Sequence, residues 1–247
     1  MSHPFERTEI LIQPEGIAHL ARQHVLIAGL GGVGSYCAEA VARASVGRLT
    51  LLDHDVVADS NLNRQLVALR STVGQPKVQV MADRIRDINP DAELHLQQEF
   101  LYPQEAAQWI QAQRPDFVAD CIDSIACKAA LVAGCHAGGI PVVTSLGAGN
   151  RLDVRRVRVS TLGQVQGCRL GRELRRMLRK LDAPLDYPVV YSDEPRRQPL
   201  PHQPVSGPPG RSRAVNGTIS YLPALFGMMV AGLIIHTLLE KNFPTAS

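Results

Sequence analysis

Gly29-Leu30-Gly31-Gly32-Val33-Gly34 follows the apolar run His24-Val25-Leu26-Ile27-Ala28 and precedes Ser35 to Ala44, where small and apolar residues recur at helical spacing. The run reads as a buried parallel strand, and the glycines as the turn that carries it into a helix. Residues without side chains let the backbone approach phosphate oxygens while the helix N-terminus faces their charge. A second strand, Arg48-Leu49-Thr50-Leu51-Leu52, ends at Asp53, at the distance where a carboxylate accepts ribose hydroxyls. The spacing implies a nucleotide; a tight strand-helix turn without ligand is the alternative.

Three polar clusters then separate a triphosphate from a dinucleotide. They are Asp53-His54-Asp55, Ser60-Asn61-Leu62-Asn63-Arg64-Gln65 and Gln75-Pro76-Lys77. Activating a carboxylate by adenylation builds negative charge on the α-phosphate and on departing pyrophosphate, which requires cations there. Arg64 and Lys77 can supply them, or they are solvated surface charges. Hydride transfer needs no such pair, since a nicotinamide cofactor reacts away from its phosphates. A further cluster, Asp120-Cys121-Ile122-Asp123-Ser124, follows the strand Phe117-Val118-Ala119, so Asp123 emerges at the carboxyl edge of the sheet. It is either a magnesium ligand or, with Ser124, the N-cap of the next helix.

In this order the motifs G-L-G-G-V-G, L-D-H-D-V-V-x-x-S-N-L-N-R-Q, V-G-Q-P-K and D-C-I-D-S resemble the ATP-dependent adenylyltransferases related to ubiquitin-activating enzymes, the ThiF/MoeB type, over about residues 5 to 150. The resemblance implies a doubly wound, mostly parallel Rossmann-like α/β sheet with a C-terminal extension ending in an apolar helix. It implies that Gly31, Asp53, Ser60, Asn61, Arg64, Lys77 and Asp123 contact ATP or Mg2+, with Gly29, Gly32, Gly34, Asp55 and Gln65 in the same nucleotide site. Arg7, in Glu6-Arg7-Thr8-Glu9-Ile10-Leu11, matches an arginine that in this family reaches a phosphate, often across a dimer interface. A helix-surface arginine is the competing reading.

The second half distinguishes branches. Relatives that activate sulfur-carrier proteins usually hold zinc with paired Cys-x-x-Cys motifs, and Cys37, Cys121, Cys127, Cys135 and Cys168 contain no such pair. Val189-Val190-Tyr191-Ser192-Asp193-Glu194-Pro195 and Asn216-Gly217-Thr218-Ile219-Ser220-Tyr221-Leu222-Pro223 instead resemble the branch of tRNA threonylcarbamoyladenosine dehydratases. That branch implies cyclisation of a threonylcarbamoyl group on tRNA through a carboxyl-adenylate, in a homodimer, with a sulfur-transfer or redox partner left open. The alternative is adenylation of the C-terminus of a ubiquitin-like sulfur carrier. An ATP-binding adenylation domain is expected over residues 1–165. Residues 166–247 then add a basic helix, a mobile loop at 195–213 and an apolar helix packed on the same domain.

The 247 residues, 45% of them hydrophobic, suffice for one substantial α/β core. The net charge of +3 conceals ten Lys or Arg against two acids between Arg151 and Lys180. This basic strip can bind an RNA backbone, or be the solvated face of a helix that buries Leu174, Met177, Leu178 and Leu181. Aromatic residues make up only 4% of the chain, so recognition of RNA would lean on phosphates and shape. Tyr221 to Leu239 is nearly long enough to cross a membrane, but Pro223, Gly227 and Gly232 lie within it and a packed helix reads the same. The N-terminal residues lack a secretory signal and the cysteine number is odd; a cytoplasmic location is expected, with membrane association through the C-terminal helix as the alternative.

Overall fold

Strands covered on both faces read as continuous apolar runs, and the chain has four such runs joined by helical segments. In a computed structural model, which describes residues 3–198 and 216–240, they pair as parallel neighbours. The strands are β1 (His24–Ala28), β2 (Arg48–Leu52), β3 (Glu93–Gln97), β4 (Phe117–Asp120), β5 (Val142–Ser145), β6 (Val157–Thr161) and β7 (Pro188–Ser192). Their order across the sheet is β3-β2-β1-β4-β5-β7-β6, parallel throughout except that β6 runs antiparallel to β7. The order reverses between β1 and β4, which places a ligand crevice at the carboxyl ends of those two strands. This is the doubly wound sheet that the family resemblance implies. The sheet continues past β5, and β7 and β6 complete it.

Alternation along β1 assigns the two layers. Val25 and Ile27 face a cluster with Leu20 of α1 (Glu6–Leu20), Val41 of α2 (Gly34–Arg43), Met81 of α3 (Lys77–Ile88) and Phe226 of α7 (Tyr221–Glu240). Leu26 and Ala28 face Ile110 of α4 (Ala106–Gln113), Leu131 of α5 (Ile125–Ala137) and Leu174 of α6 (Arg169–Lys180). Each fully buried Leu, Ile, Val, Phe or Met in these layers contributes about 1.5–3 kcal/mol. The helix after the glycine turn begins at Gly34 rather than Ser35, and the basic helix α6 begins at Arg169. Residues 199–213 of the loop expected at 195–213 lie outside the described residues.

The apolar helix α7 is long and apolar enough to cross a membrane. Here its Leu222, Phe226, Val230, Ile234 and Leu238 join the first core cluster, and it packs along α2. Close approach is possible because Gly227 has no side chain; a methyl group there would collide with the carbonyl of Val33 and stand 3.0 Å from Cβ of Tyr36.

One buried ion pair stands out at the carboxyl edge. Lys128 of α5 and Asp120 of β4 are both fully buried, with Nζ 2.9 Å from Oδ2. The ammonium also donates to the carbonyls of Asp120 (3.4 Å) and Ser145 (3.1 Å), so its three protons bridge the ends of β4 and β5. The Thr144 hydroxyl donates to the same carboxylate, 2.8 Å away, and Ile122 N–H donates to its other oxygen at 3.3 Å. Burial pushes the Asp120 carboxyl above the usual carboxylate range, while Lys128 and Thr144 pull it back.

Two outcomes test these packing arguments. Lys128→Met leaves the Asp120 charge buried and unpaired and should destabilise the fold by about 3–5 kcal/mol, whereas the double variant Lys128→Met/Asp120→Asn should regain most of it. Urea denaturation showing the double variant no more stable than the single would refute that reading. Gly34→Ala places a methyl group inside the contact distance of the Gly29 carbonyl oxygen. A loss of about 3 kcal/mol or more is expected, read as a fall in Tm of roughly 6–12 °C by differential scanning calorimetry.

Candidate nucleotide site at the carboxyl edge

Gly29 leaves β1 with φ of +89°, a conformation that costs glycine little, and a methyl group there would lie 2.8 Å from the carbonyl oxygen of Cys121. Gly31 differs, since a methyl group on it would meet nothing nearer than the Gln65 amide nitrogen at 3.8 Å. The floor of the turn therefore has room for a bound group. On Gly32 it would touch Pro223 at 3.0 Å and the Arg64 side chain at 3.4 Å.

Asp53 holds this turn. Its Oδ2 accepts from Leu30 N–H at 2.6 Å and its Oδ1 from Asp55 N–H at 2.9 Å, and only 8% of the residue is exposed. The sequence points to a ribose ligand here; the structure adds a backbone anchor between the ends of β1 and β2. Lys77 opens α3, is itself buried, and sets Nζ 2.8 Å from Asp55 and 4.0 Å from Asp53. Arg64 is half-buried and donates from one guanidinium nitrogen to the Ser60 carbonyl (2.8 Å) and the Asn63 side chain (2.9 Å). Partial burial strips water from this guanidinium, which lowers its pKa from the ordinary value and strengthens its attraction to an incoming anion.

The other candidates divide. Ser60 is exposed and Asn61 half-buried, on one turn of 3-10 helix, where Asn61 Oδ1 accepts from Ala58 N–H at 3.1 Å. Gln65 is buried beside Gly31 with its carbonyl oxygen unpartnered. Asp123 is exposed, one residue before the N-cap of α5. Ser124 occupies that N-cap but makes no side-chain cap bond, so the capping alternative is not realised. Arg7 is exposed on the first turn of α1, with no hydrogen bond or ion pair among the described residues.

Asp53 and Asp123 meet in a cavity of about 80 Å³ lined also by Leu52, His54, Glu99, Phe100, Leu101, Ile122, Ser124 and Cys127. A wider, open depression of about 490 Å³ lies at the opposite sheet edge beside Arg114 and Pro115, away from these groups. Glu99, Phe100 and Leu101 follow β3 and were not legible as site residues, because nothing but strand order brings them to Asp53. The sequence assigns Asn63 no role; its side-chain amide donates to the Thr218 carbonyl at 2.9 Å and joins the C-terminal segment to the Arg64 loop.

Two acidic groups at this edge could face a divalent cation. Asp53, His54 and Asp55 place ligand atoms within 4.8 Å of one another, but Asp53 is engaged by backbone amides and Asp55 by Lys77, whose charge opposes a metal ion. The exposed carboxylate of Asp123, on the cavity wall, fits one better. Two buried cysteines are held as thiols: hydrogen bonding to Cys121 and burial push the Cys37 thiol up, and burial pushes Cys135 up to about 12. Cys168 is buried and N-caps α6.

Comparison with known proteins follows the same geometry. A family model described as "ThiF family" matches residues 5–247. The chain is similar to tRNA threonylcarbamoyladenosine dehydratase of Bacillus subtilis, with 40% identity over 194 residues, 78% of this chain and 76% of the relative. It is similar to the crystal structure of E. coli tRNA N6-threonylcarbamoyladenosine dehydratase in complex with ATP, with a TM-score of 0.86 and 32% identity over 98% of this chain and 96% of that one. Similarity to the Escherichia coli molybdopterin-synthase adenylyltransferase reaches 41% identity but spans 139 residues, 56% of this chain and 54% of the relative. The family match runs from α1 to the C-terminus rather than over the nucleotide motifs alone, and the chain belongs to the ThiF family.

Proposed function

We propose that this chain is an ATP-dependent tRNA threonylcarbamoyladenosine dehydratase, a cyclising enzyme of the carboxylate-adenylating ligase type. The observation that carries the reading is the pair of cations flanking the glycine turn: Arg64 packed beside Gly32, and Lys77 held 4.0 Å from the carboxylate that anchors Leu30. The branch follows from the extent of likeness, since similarity to the dehydratases runs over most of the chain while that to the adenylyltransferase covers about half. The dehydratase in the structural comparison was crystallised with ATP.

In this scheme the triphosphate lies over the open floor at Gly31, with the nucleoside in the cavity beside Asp53. Lys77 exchanges Asp55 for phosphate oxygens, and Arg64 faces the charge that develops as the threonyl carboxylate of the tRNA attacks the α-phosphorus. Pyrophosphate leaves; the ureido group, already tethered, closes onto the activated carbonyl and AMP departs. Asp123 is the residue that would hold Mg2+, whose chemistry is neutralisation of phosphate charge. Lys128, through Asp120 and Ile122 N–H, fixes the loop from which Asp123 projects. This scheme needs no enzyme thioester, because the nucleophile is already tethered. The enzyme works as a homodimer in the cytoplasm, with Arg7 of one subunit directed to the phosphates of the other.

The sulfur-carrier reading retains one supporting observation, the 41% identity to the adenylyltransferase over the nucleotide half. The missing Cys-x-x-Cys pairs weigh against it. Incubation with ATP, magnesium and threonylcarbamoyl-modified tRNA, followed by nucleoside mass spectrometry, should show loss of one water from the modified base. Pyrophosphate exchange stimulated by a carrier protein and not by that tRNA would reverse the choice. Arg64→Ala and Lys77→Ala should each lower kcat for tRNA-dependent AMP formation about 10²–10³-fold, near 2.7–4 kcal/mol, with Tm little changed for Arg64→Ala. Wild-type turnover in either variant would remove that residue from the mechanism.

A further inference from the structure

The ten cations between Arg151 and Lys180 sort into two groups once their partners are known. Arg151 is buried on the carbonyls of Gly147 and Glu194, and Arg175 donates to those of Leu162 and Val165. Arg155 pairs with Asp153, and Arg156 and Arg158 share Asp193. These five donate to backbone carbonyls or pair with a nearby acid. Arg169, Arg172, Arg179 and Lys180 are exposed and have no hydrogen-bond or ion-pair partner among the described residues; exposed Arg176 has only Glu173, 3.0 Å away and one turn back.

The second group forms a stripe on α6. At about 100° per residue, positions 169, 172, 176, 179 and 180 fall within an arc of roughly 100° and span about 16 Å. The buried Gly171, Leu174 and Leu178 lie on the opposite side. The stripe starts at the sheet edge that carries the nucleotide site, because Leu170 reaches within 3.8 Å of a methyl position on Gly147, in the loop that follows β5.

We infer that this stripe docks the phosphate backbone of the RNA substrate, feeding its modified nucleotide toward the carboxyl edge; the inference rests on the dehydratase reading above. Four unpaired exposed cations and Arg176, which has only Glu173, lie on one face and are complementary to a regularly spaced polyanion. Four of the five are arginines, whose forked donors match phosphate oxygens. A membrane surface fits less well, because Leu174 and Leu178 of α6 are buried in the second core cluster, and Leu181, which the sequence places on the buried face but which is exposed just past the helix end, offers little to insert into a bilayer.

The test uses the full chain carrying Arg172→Ala, Arg179→Ala and Lys180→Ala together, with unmodified tRNA as probe so that the outcome does not depend on cyclisation. Removing three phosphate contacts should flatten the plot of log Kd against log salt by about 2 and weaken binding roughly tenfold or more. ATP affinity and Tm should not change, and with modified tRNA the loss should appear in KM rather than kcat. An unchanged salt slope overturns the inference, as does a parallel loss of ATP affinity. Intact tRNA binding with weakened binding to phosphatidylserine vesicles would overturn it in favour of a bilayer.

Discussion

The carboxylate of Asp53 accepts amide protons from both Leu30 and Asp55, and the shape of the nucleotide edge follows from those two hydrogen bonds. One belongs to the glycine turn after β1, the other to the polar segment after β2, so two neighbouring strands end in a common anchor. The same negative charge draws the buried Lys77 ammonium toward the turn, where Asp55 holds it. A cation that would otherwise be costly to bury is thus kept beside the place where phosphate charge must be met. Function and fold make the same demand on this residue, because a turn that is not fixed cannot hold amides and cations at a set distance from a transition state.

A second anchor does for β4 and β5 what Asp53 does for β1 and β2. Lys128 is surrounded by two carbonyls and one carboxylate, all from strand ends. Such a pair adds little net stability over an apolar core, yet it fixes where the strands stop relative to one another. Asp123 projects from the loop that begins at this clamp. The candidate site is therefore framed by two carboxylates whose first task is to hold backbone, and the exposed groups around them are left for ligand.

How much of this was legible follows from what periodicity can carry. The bounds of β1 and β2, the glycine turn and the long apolar helix were readable, because each is a local pattern of burial or a local steric need. Strand order was not written in any one segment, so Phe100 and Leu101 gave no sign of lying against Asp53 and Asp123. The antiparallel pair β6 and β7 went unread for a related reason: Val157-Arg158-Val159 alternates like any edge strand, and its partner lies 27 or more residues on. Lys128 was hidden within a helix that looked uniformly apolar, since its partner is a strand residue eight positions earlier that only the fold brings into reach. The sequence reads Asp53 as a ribose ligand, and the structure gives it the task of anchoring backbone, because hydroxyls and amides alike donate protons to a carboxylate.

The C-terminal helix joins these local devices into one site. Pro223 abuts Gly32, Gly227 lets α7 press on the carbonyl of Val33, and Asn63 ties the Arg64 loop to Thr218 just ahead of the helix. The turn that would cradle phosphate is therefore walled on one side by residues nearly two hundred positions away in sequence. Transfer of α7 into a bilayer would shelter its own Leu222, Phe226, Val230, Ile234 and Leu238, but it would leave the facing surface of α2, including Cys37 and Val41, open to water. At about 25 cal/mol per Å² of apolar surface, uncovering that face opposes insertion, and it would also remove the wall beside Gly32. The length and hydropathy that suit this helix to a membrane are what a helix needs when it closes one layer of an α/β core and the back of a phosphate turn together.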